Sequence, residues 1–251
     1  MRAAPLASAL ALVLAVTFAG GPARSDGTPS EAVAPGDSSV PSLELEATQT
    51  QLLARADQHP ESYSAQLNAA EGLLRLADRL RNERKIRSDL GRERDKEYRA
   101  QQATWAEQAI PAAQRALDLA RDDAQRAQAE RVLGELYSHR ITGMISGMIN
   151  GPRAKRHIGR ALELEPTDPE CNRAIGLMYL HNPPITGGNL TKAIETFERC
   201  AKEIPDERCL VLLAMAHRKD GNLVAAREAA QAALARNPES VDAQLLLQEL
   251  R

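Results

Sequence analysis

The chain has 251 residues and a formal net charge of -2, from 32 Lys and Arg against 34 Asp and Glu. Proteins that bind nucleic acid carry an excess of basic residues that neutralises phosphates, so this balance argues against nucleic acid as a partner. Hydrophobic residues make up 43% of the chain but aromatic residues only 3%. The core must therefore consist mainly of alanine and leucine, which favours closely packed helices over sheets.

The N-terminal segment, residues 1–23, has the order of regions found in a secretory signal peptide. Arg2 precedes an apolar run and small residues follow it, and the run is shorter than the roughly 20 residues that a membrane-spanning helix needs. Cleavage would fit after either Ala19 or Ala23. A lipoprotein needs a cysteine at the cleavage point, whereas the first cysteine is Cys171. We therefore expect a soluble exported protein, periplasmic or secreted, with an uncleaved N-terminal anchor as the alternative.

Residues 24–41 are rich in Gly, Pro, Ser, Asp and Ala, which predicts a flexible linker. The remaining residues, 42–251, have the length of one ordinary domain. Residues 52–60 have the pattern of the end of a helix, and further helical patterns follow at 61–80 and 105–120. The mixed-charge run between them, 81–102, predicts a solvated helical extension, and a partner-binding site is the alternative.

Three segments repeat one arrangement of residues, and we predict repeats at 127–168, 169–206 and 207–240. Each has a branched apolar residue followed by a small residue, then a ring four positions after the first, then mostly small residues and a closing proline. Small residues are needed where two helices cross closely, and proline stops a helix. The positions concerned are Leu133, Gly134, Tyr137, Ala154, Ala161 and Pro166; Ile175, Gly176, Tyr179, Gly188, Ala193, Phe197, Cys200 and Pro205; and Leu213, Ala214, His217, Gly221, Ala226, Ala233 and Pro238.

This arrangement resembles the tetratricopeptide (TPR) repeat family, although other residues occupy the tryptophan position throughout. The resemblance covers the chain from Ala127 to the C-terminus. It implies an all-α fold, an α-α superhelix of TPR-like helical hairpins, and the long patterns upstream predict extended helices in the N-terminal half. TPR proteins bind partners on the concave surface that their first helices form.

The resemblance also assigns the residues of that concave groove. The inward positions are mainly basic, with apolar patches, and they comprise Arg131, Glu135, His139, Arg173, Leu177, His181, Arg208, Met215, Arg218 and Lys219. Such a groove would suit an acidic peptide or a chain-terminal carboxylate, because guanidinium groups pair with carboxylates. An ordinary solvated helix face is the alternative.

The stretch "ITGMISGMING", at 141–151, is about eight residues longer than the repeat requires. With Asn150 as a cap and Pro152 at a first helical position, we expect the next helix to begin near Gly151 and the surplus to prolong the first helix of its repeat. The spacing of four would then place Gly143 and Gly147 on one smooth face. We expect that face to pack closely against the helix at 64–80 or against another subunit, or to line a cavity.

Apolar residues flank that glycine face, namely Ile141, Met144, Ile145 and Met148. A membrane dimer face would need about twice this length of apolar helix. A phosphate-binding glycine loop needs a preceding strand, which this segment lacks.

The turn "HNPPITGGNLTKA", at 181–193, resembles one found in exported bacterial TPR proteins, including T-components of the tripartite periplasmic (TRAP) transporter systems. That resemblance implies an alternative function, an accessory protein of a periplasmic solute transport system with an apolar ligand cavity. The chain departs from the lipoprotein leader that many of those proteins have.

Residues able to carry catalysis are scattered, and no nucleophile and base or set of metal ligands has the required spacing. We therefore predict no enzyme activity, no metal and no cofactor. Cys200 and Cys209 lie on either side of one helix corner and could form a disulfide in an oxidising compartment, which would leave Cys171 single. The alternative is that Cys200 only fills a small-residue position.

These observations predict an exported, non-enzymatic scaffold for protein interaction. Its partner would be a protein or peptide, acidic or with a free carboxylate, and homo-oligomers are compatible with this function. We expect no membrane span after cleavage of the signal peptide.

Overall fold

The structure is a computed structural model and describes residues 42–251. The predicted signal peptide at 1–23 and linker at 24–41 lie outside the described residues. Across 42–251 the chain forms ten α-helices, a short 3₁₀ turn at Pro184–Thr186 and no strand. The helices are α1 (Ser42–Gln58), α2 (Tyr63–Ile86), α3 (Arg92–Leu119), α4 (Asp123–His139), α5 (Met144–Leu164), α6 (Pro169–His181), α7 (Leu190–Glu203), α8 (Arg208–Asp220), α9 (Leu223–Arg236) and α10 (Val241–Glu249).

The helices pack as consecutive hairpins, α2 with α3, α4 with α5, α6 with α7 and α8 with α9. Helices α2 and α3 have 24 and 28 residues, whereas α6, α7, α8 and α9 have 13 or 14. The prediction of an all-α array of TPR-like hairpins with extended helices in its N-terminal half is therefore confirmed.

Polar side chains define where most of these helices begin. The Asp122 carboxylate accepts a hydrogen bond from the Gln125 backbone N–H at the start of α4, and Asp168 accepts one from Cys171 at the start of α6. Such caps satisfy backbone donors that have no partner within the helix. At the end of α8, Gly221 adopts φ 83°, a left-handed conformation that glycine tolerates best. The short α8–α9 turn follows from it.

The two helices of a hairpin approach closely at the glycines of the repeat pattern. A Cβ atom added to Gly134 of α4 would lie 2.5 Å from Cγ1 of Ile158 on α5, and one added to Gly176 of α6 would lie 2.8 Å from Cε1 of Phe197 on α7. Separations this short are overlaps, since carbon atoms in contact lie at about 3.5–4.0 Å. Glycine at these positions therefore sets the spacing of the hairpins.

Helix α2 extends from the N-terminal part of the array into its C-terminal part. Its last residue, Ile86, is 1% exposed and belongs to the hydrophobic core that α6 to α10 form. Arg218 of α8 donates hydrogen bonds to the backbone carbonyls of Ile86 and Lys85, and so caps the C-terminal end of α2. Helix α10 also packs against α2. Helix α2 therefore contacts both ends of the array, a long-range arrangement that the repeat pattern does not predict.

Candidate functional site

Most of the residues predicted to line an open groove are buried or bonded to other residues of the chain. Arg131 and Glu135 of α4 are 6% and 3% exposed, and Arg173 of α6 is 4% exposed. Nη1 of Arg131 donates to Oε1 of Glu135 at 2.9 Å, and Arg131 also pairs with Glu71 of α2. Nη2 of Arg173 donates to both oxygens of Glu135, at 3.0 and 2.9 Å. These side chains form a buried ion-pair network within the protein.

The network continues to the edge of α8. Nε of Arg173 donates to Oε2 of Glu170 at 2.7 Å, and Nη2 of Arg208 donates to Oε1 of the same carboxylate at 2.5 Å. Burial alone would raise the pKa of Glu170, but the guanidinium groups of Arg173, Arg131 and Arg208 outweigh it and hold that pKa well below its usual value. Asp206 also pairs with Arg208. Carboxylates of the chain itself therefore already occupy the arginines that were expected to bind an acidic peptide.

The prediction of a mainly basic, open groove is wrong, because the arginines of this face are paired with carboxylates of the chain. Burying several charges is costly unless they are paired, so the arginines of the first helices require the acids that face them. A sequence signal for this pairing exists, because Arg131 and Glu135 are four apart, and Glu170 and Arg173 three apart, on one helix face. The signal does not reveal Glu71, which arrives from another helix.

His139 and the apolar groove residues are buried as well. Nε2 of His139 lies 2.8 Å from Oδ1 of Asp78, which also pairs with Arg81 at 2.9 Å. Burial and the charge of Arg81 lower the pKa of His139, although its contact with Asp78 opposes this effect. Leu177 and Met215, each 5% exposed, belong to the C-terminal core.

Two of the remaining predicted residues donate hydrogen bonds to backbone carbonyl groups. Arg218 caps α2 as described above, and Nζ of Lys219 donates to the backbone carbonyl of Leu180. His181 borders a cavity between α2, α3, α4 and α6. The structure thus gives most of the predicted groove residues partners within the chain.

The surplus segment at 141–151 prolongs the second helix of its hairpin, and the prediction that it prolongs the first is wrong. Helix α4 ends at His139, and α5 begins at Met144. The hydroxyl oxygen of Ser146 accepts hydrogen bonds from the backbone N–H groups of Gly143 and Thr142, at 2.9 and 3.0 Å, and this cap starts α5 early.

The expected cap and helix start are also placed differently. Asn150 lies inside α5, where its Nδ2 donates to the carbonyl of Arg140 at 3.4 Å and so bonds the end of α4. Pro152 lies inside the same helix instead of at its first position.

The glycines of this segment pack against no helix. A Cβ atom at Gly143 would meet nothing within 4 Å, and one at Gly147 would meet only Cγ2 of Ile141, at 3.5 Å. The expectation that this face packs closely against the helix at 64–80 is therefore wrong, and packing against another subunit stays a prediction. Met144, Ile145 and Met148 beside these glycines are exposed and line no enclosed cavity, whereas Ile141 borders a cavity between α2, α3, α4 and α6.

The exposed apolar residues of α5 form a continuous apolar surface on that helix. Met144, Ile145, Met148 and Ile149 of α5 are 84%, 77%, 73% and 53% exposed. Their spacing of one, three and four residues places them on one face of the helix, opposite its buried residues Asn150, Ala154, His157, Ile158 and Ala161. Lys155 and Arg156 continue the same face and are exposed. We call these six residues the α5 ridge.

The two cysteines on either side of the α7–α8 corner form a disulfide bond. Cys200 at the end of α7 and Cys209 at the start of α8 are joined by a disulfide, with their Cα atoms 5.8 Å apart. Cys171 is buried and free. Burial, together with the charge and hydrogen bond of Asp168, raises the pKa of the Cys171 thiol to about 12. Cys171 is therefore an unreactive core residue.

Neither a metal site nor a membrane helix occurs between residues 42 and 251. No group of three or more His, Cys, Asp or Glu side chains in that range could hold a metal ion. None of the helices described there is long and apolar enough to cross a bilayer.

No family model matches the chain, and no curated protein sequence matches it. Among solved structures, the chain is similar to TTC0263, a thermophilic TPR protein of Thermus thermophilus, with a TM-score of 0.59 and 15% identity over 82% of this chain and 90% of that one. It also matches a chain in the crystal structure of the APC/C hetero-tetramer Cut9-Hcn1, with a TM-score of 0.45 and 16% identity over 82% of this chain and 39% of that one. At such low identity the first likeness concerns the fold, and it agrees with the repeat pattern and the helical hairpins. The chain therefore has the fold of the tetratricopeptide-repeat proteins.

Proposed function

We propose that the chain is an exported, non-enzymatic scaffold that docks a partner protein on the α5 ridge. The fold supports the general role, because TPR-like arrays are protein-interaction modules. The observation that carries the choice of surface is the exposure of Met144, Ile145 and Met148, all above 70%, on consecutive turns of one helix. Exposed apolar patches of this kind mark interaction sites, and methionine adapts readily to a partner surface.

The α5 ridge is proposed instead of the concave face because its charged side chains are free to bind a partner, whereas those of the concave face are paired within the chain. On the concave face Arg131, Glu135 and Arg173 are buried in mutual ion pairs, so a partner would have to break that network. On α5, Lys155 and Arg156 are exposed next to the apolar turns. The complementary surface is an acidic segment with an apolar face, which retains the expectation of an acidic partner and moves its docking position.

Export is proposed on the leader pattern of residues 1–23 together with the Cys200–Cys209 disulfide. Disulfides persist in oxidising compartments such as the periplasm or the extracellular space. Expression of the full chain followed by mass measurement of the recovered protein tests this point, since removal of 19 or 23 residues is expected. Retention of the whole leader on a membrane-bound chain would contradict it.

The docking surface is tested by site-specific crosslinking. A photoreactive amino acid at Met148, in cells that express the full chain, should capture a partner protein, whereas the same group at Val224 of α9 should not. Val224 is a matched control because it is an exposed apolar residue of another helix, 68% exposed. Equal capture at both positions would mean that the contact is non-specific.

Affinity measurements with the purified partner then decide the role of the ridge. The variant with Ile145→Ser and Met148→Ser should weaken binding at least about tenfold, since it removes two apolar side chains that the partner would bury, and Val224→Ser should leave the affinity unchanged. Unchanged affinity in the double variant would contradict the proposal. Crosslinks from Met148 only to a second copy, or ridge-dependent binding to anionic lipid vesicles, would replace it with self-association or membrane attachment.

A further inference from the structure

A second feature, separate from the α5 ridge, is a cavity of about 210 Å³ on the inner side of the array. One part of its wall is basic, with Arg81, Arg84 and Lys85 from the last turns of α2 and Arg99 from α3. The volume lies below the roughly 300–1,000 Å³ of pockets for drug-sized ligands. The cavity therefore suits a small ligand.

Another part of the same wall is apolar. Ile158 of α5 and Leu177 of α6 are buried, and Met178 lies beside them. Ala174 and Ile141 complete this part of the lining. A ligand that fills the cavity thus meets cationic groups on one side and aliphatic groups on the other.

Several hydrogen-bond donors of this lining have no partner in the protein. The donors are Nε of Arg81, Nε of Arg84 and Nε2 of Gln102, all of them buried atoms. Nε2 of His181 is also buried and unpartnered, and it donates or accepts according to the tautomer of the ring. Gln102 is only 4% exposed as a residue. Buried polar groups normally have a hydrogen-bond partner, so three unpartnered donors in the lining of one cavity indicate a ligand that brings acceptors.

The electrostatics of the cavity favour a negative charge. Part of the cationic charge of the wall is neutralised within the protein, because Asp78 pairs with Arg81, and Asp95 pairs with Arg84 and Arg99. Lys85 has no ion pair among the described residues, and Glu135 pairs with Arg131 and Arg173. Partial desolvation and the charges of Arg84, Arg99 and Lys219 lower the pKa of Lys85 to about 8. Desolvation and the charges of Arg81, Lys85, Lys219 and Arg84 hold the pKa of His181 well below its usual value.

A neighbouring cavity of similar volume provides a comparison within the same protein. It is lined by four acidic residues, Glu71, Asp78, Asp168 and Glu170, and by four arginines, Arg75, Arg131, Arg173 and Arg208. Charges of both signs balance there. The excess of cationic groups is thus particular to the cavity between α2, α3, α4 and α6.

We propose that this basic cavity binds a small organic carboxylate that carries a short apolar chain. The carboxylate accepts hydrogen bonds from the cationic and amide donors, because guanidinium and ammonium groups form strong, charge-assisted bonds to it. The apolar chain lies against Ile158, Leu177 and Met178. A multiply charged anion fits less well, because Glu135 also borders the cavity.

Hexanoate is a suitable probe, and calorimetry or chemical-shift titration of the full exported chain measures its binding. Hexanoate should bind more tightly than acetate, which lacks the apolar chain, and more tightly than hexanamide, which lacks the charge. Inorganic phosphate should bind more weakly than hexanoate. Equal affinity for hexanamide would overturn the charge assignment, and equal affinity for acetate or tighter binding of phosphate would overturn the carboxylate with an apolar chain.

The variant Lys85→Gln tests whether hexanoate binds in this cavity. Lys85 is exposed, so its replacement should leave the fold intact, as circular dichroism will verify. It should weaken hexanoate binding about tenfold, the effect expected for loss of one charged hydrogen bond. Lys202→Gln, at an exposed lysine of α7, is the control and should bind as the unaltered chain does. Equal affinities of the two variants would place hexanoate elsewhere and refute the proposal.

Proton uptake gives a second, independent measure. Because the pKa of Lys85 lies near 8 without a ligand, a bound carboxylate should raise it, and binding at about pH 8.5 should take up a proton. Calorimetry in two buffers of different ionisation enthalpy detects this uptake, which Lys85→Gln should abolish. Binding without proton uptake in the unaltered chain would overturn the role of Lys85. These measurements do not involve the α5 ridge, so their outcome is distinguishable from that of the docking experiment.

Discussion

Asn82 of α2 donates a hydrogen bond from Nδ2 to Oδ2 of Asp242 on α10, at 2.8 Å, across 160 residues of sequence. The contact joins the last helix of the array to its first long helix. Burial raises the pKa of Asp242 to about 6, although the hydrogen bond from Asn82 and the charges of Arg79 and Arg81 act in the opposite direction. The junction between α2 and α10 is therefore more stable when Asp242 is protonated.

The first prediction concerns the pH dependence of stability at this junction. An aspartate in the unfolded chain has a pKa of about 3.9, so between about pH 4 and pH 6 the folded chain binds more protons than the unfolded chain. The stabilisation is complete below the unfolded pKa and is lost as pH rises through the folded pKa. Asp242→Asn retains an acceptor for Asn82 but cannot ionise. We expect its free energy of unfolding, relative to the unaltered chain, to increase by about 1–2 kcal/mol between pH 4.5 and pH 7.5.

Urea denaturation followed by circular dichroism at the two pH values measures this difference. Asp220→Asn, at an exposed aspartate of α8, is the matched control and should show no comparable trend. If the difference between Asp242→Asn and the unaltered chain is the same at both pH values, burial of the Asp242 carboxylate does not shift its titration.

The second prediction concerns the buried ion-pair network. Arg173 bonds both Glu135 and Glu170, and its side chain is 4% exposed. Removing Arg173 leaves Glu135 with Arg131 and Glu170 with Arg208, and breaking a buried ion pair costs about 3–5 kcal/mol. Arg173→Met should therefore lower the free energy of unfolding by about 3 kcal/mol, whereas Arg126→Met, at a pair with Asp123 on the surface, should change it by less than about 1 kcal/mol. Similar effects of the two changes in chemical denaturation would mean that the network contributes little.

The local pattern of the sequence predicts the hairpins well, because each depends on residues within one repeat. Gly134 and Gly176 lie at helix crossings as the repeat requires. The placement of α2 could not be predicted in this way, since Ile86 reaches a core formed by residues about a hundred positions later. The sequence misplaces the 141–151 surplus because Asn150 resembles a cap, whereas the Ser146 hydroxyl bonds the N–H groups that start α5.

The third prediction concerns the disulfide. Cys200 and Cys209 are nine residues apart, and closing a loop of this size in the unfolded chain contributes roughly 2–3 kcal/mol by chain entropy. Peptide mapping of protein recovered without reducing agent should yield a linked Cys200–Cys209 peptide, with Cys171 as the thiol. The variant with both cysteines changed to alanine should lose that amount of stability and unfold at a lower urea concentration. Recovery of three free thiols from an exported chain would contradict the bond.

The last prediction separates glycines that are packed from glycines that are not. A Cβ atom at Gly134 would overlap Cγ1 of Ile158 at 2.5 Å and would also meet the backbone nitrogen of Ile158 at 3.0 Å, so the two helices would have to move apart. Overpacking of this kind costs about 1–3 kcal/mol, and we expect Gly134→Ala to lower the melting temperature.

At Gly159 of α5 a Cβ atom would meet nothing within 4 Å, and at Gly147 only an ordinary contact. There the higher helix propensity of alanine should stabilise the protein by up to about 1 kcal/mol, so Gly147→Ala and Gly159→Ala should raise the melting temperature. Thermal unfolding of the three variants under one set of conditions tests the opposite signs. A lower melting temperature for Gly147→Ala together with a higher one for Gly134→Ala would reverse the assignment of the packed helix face.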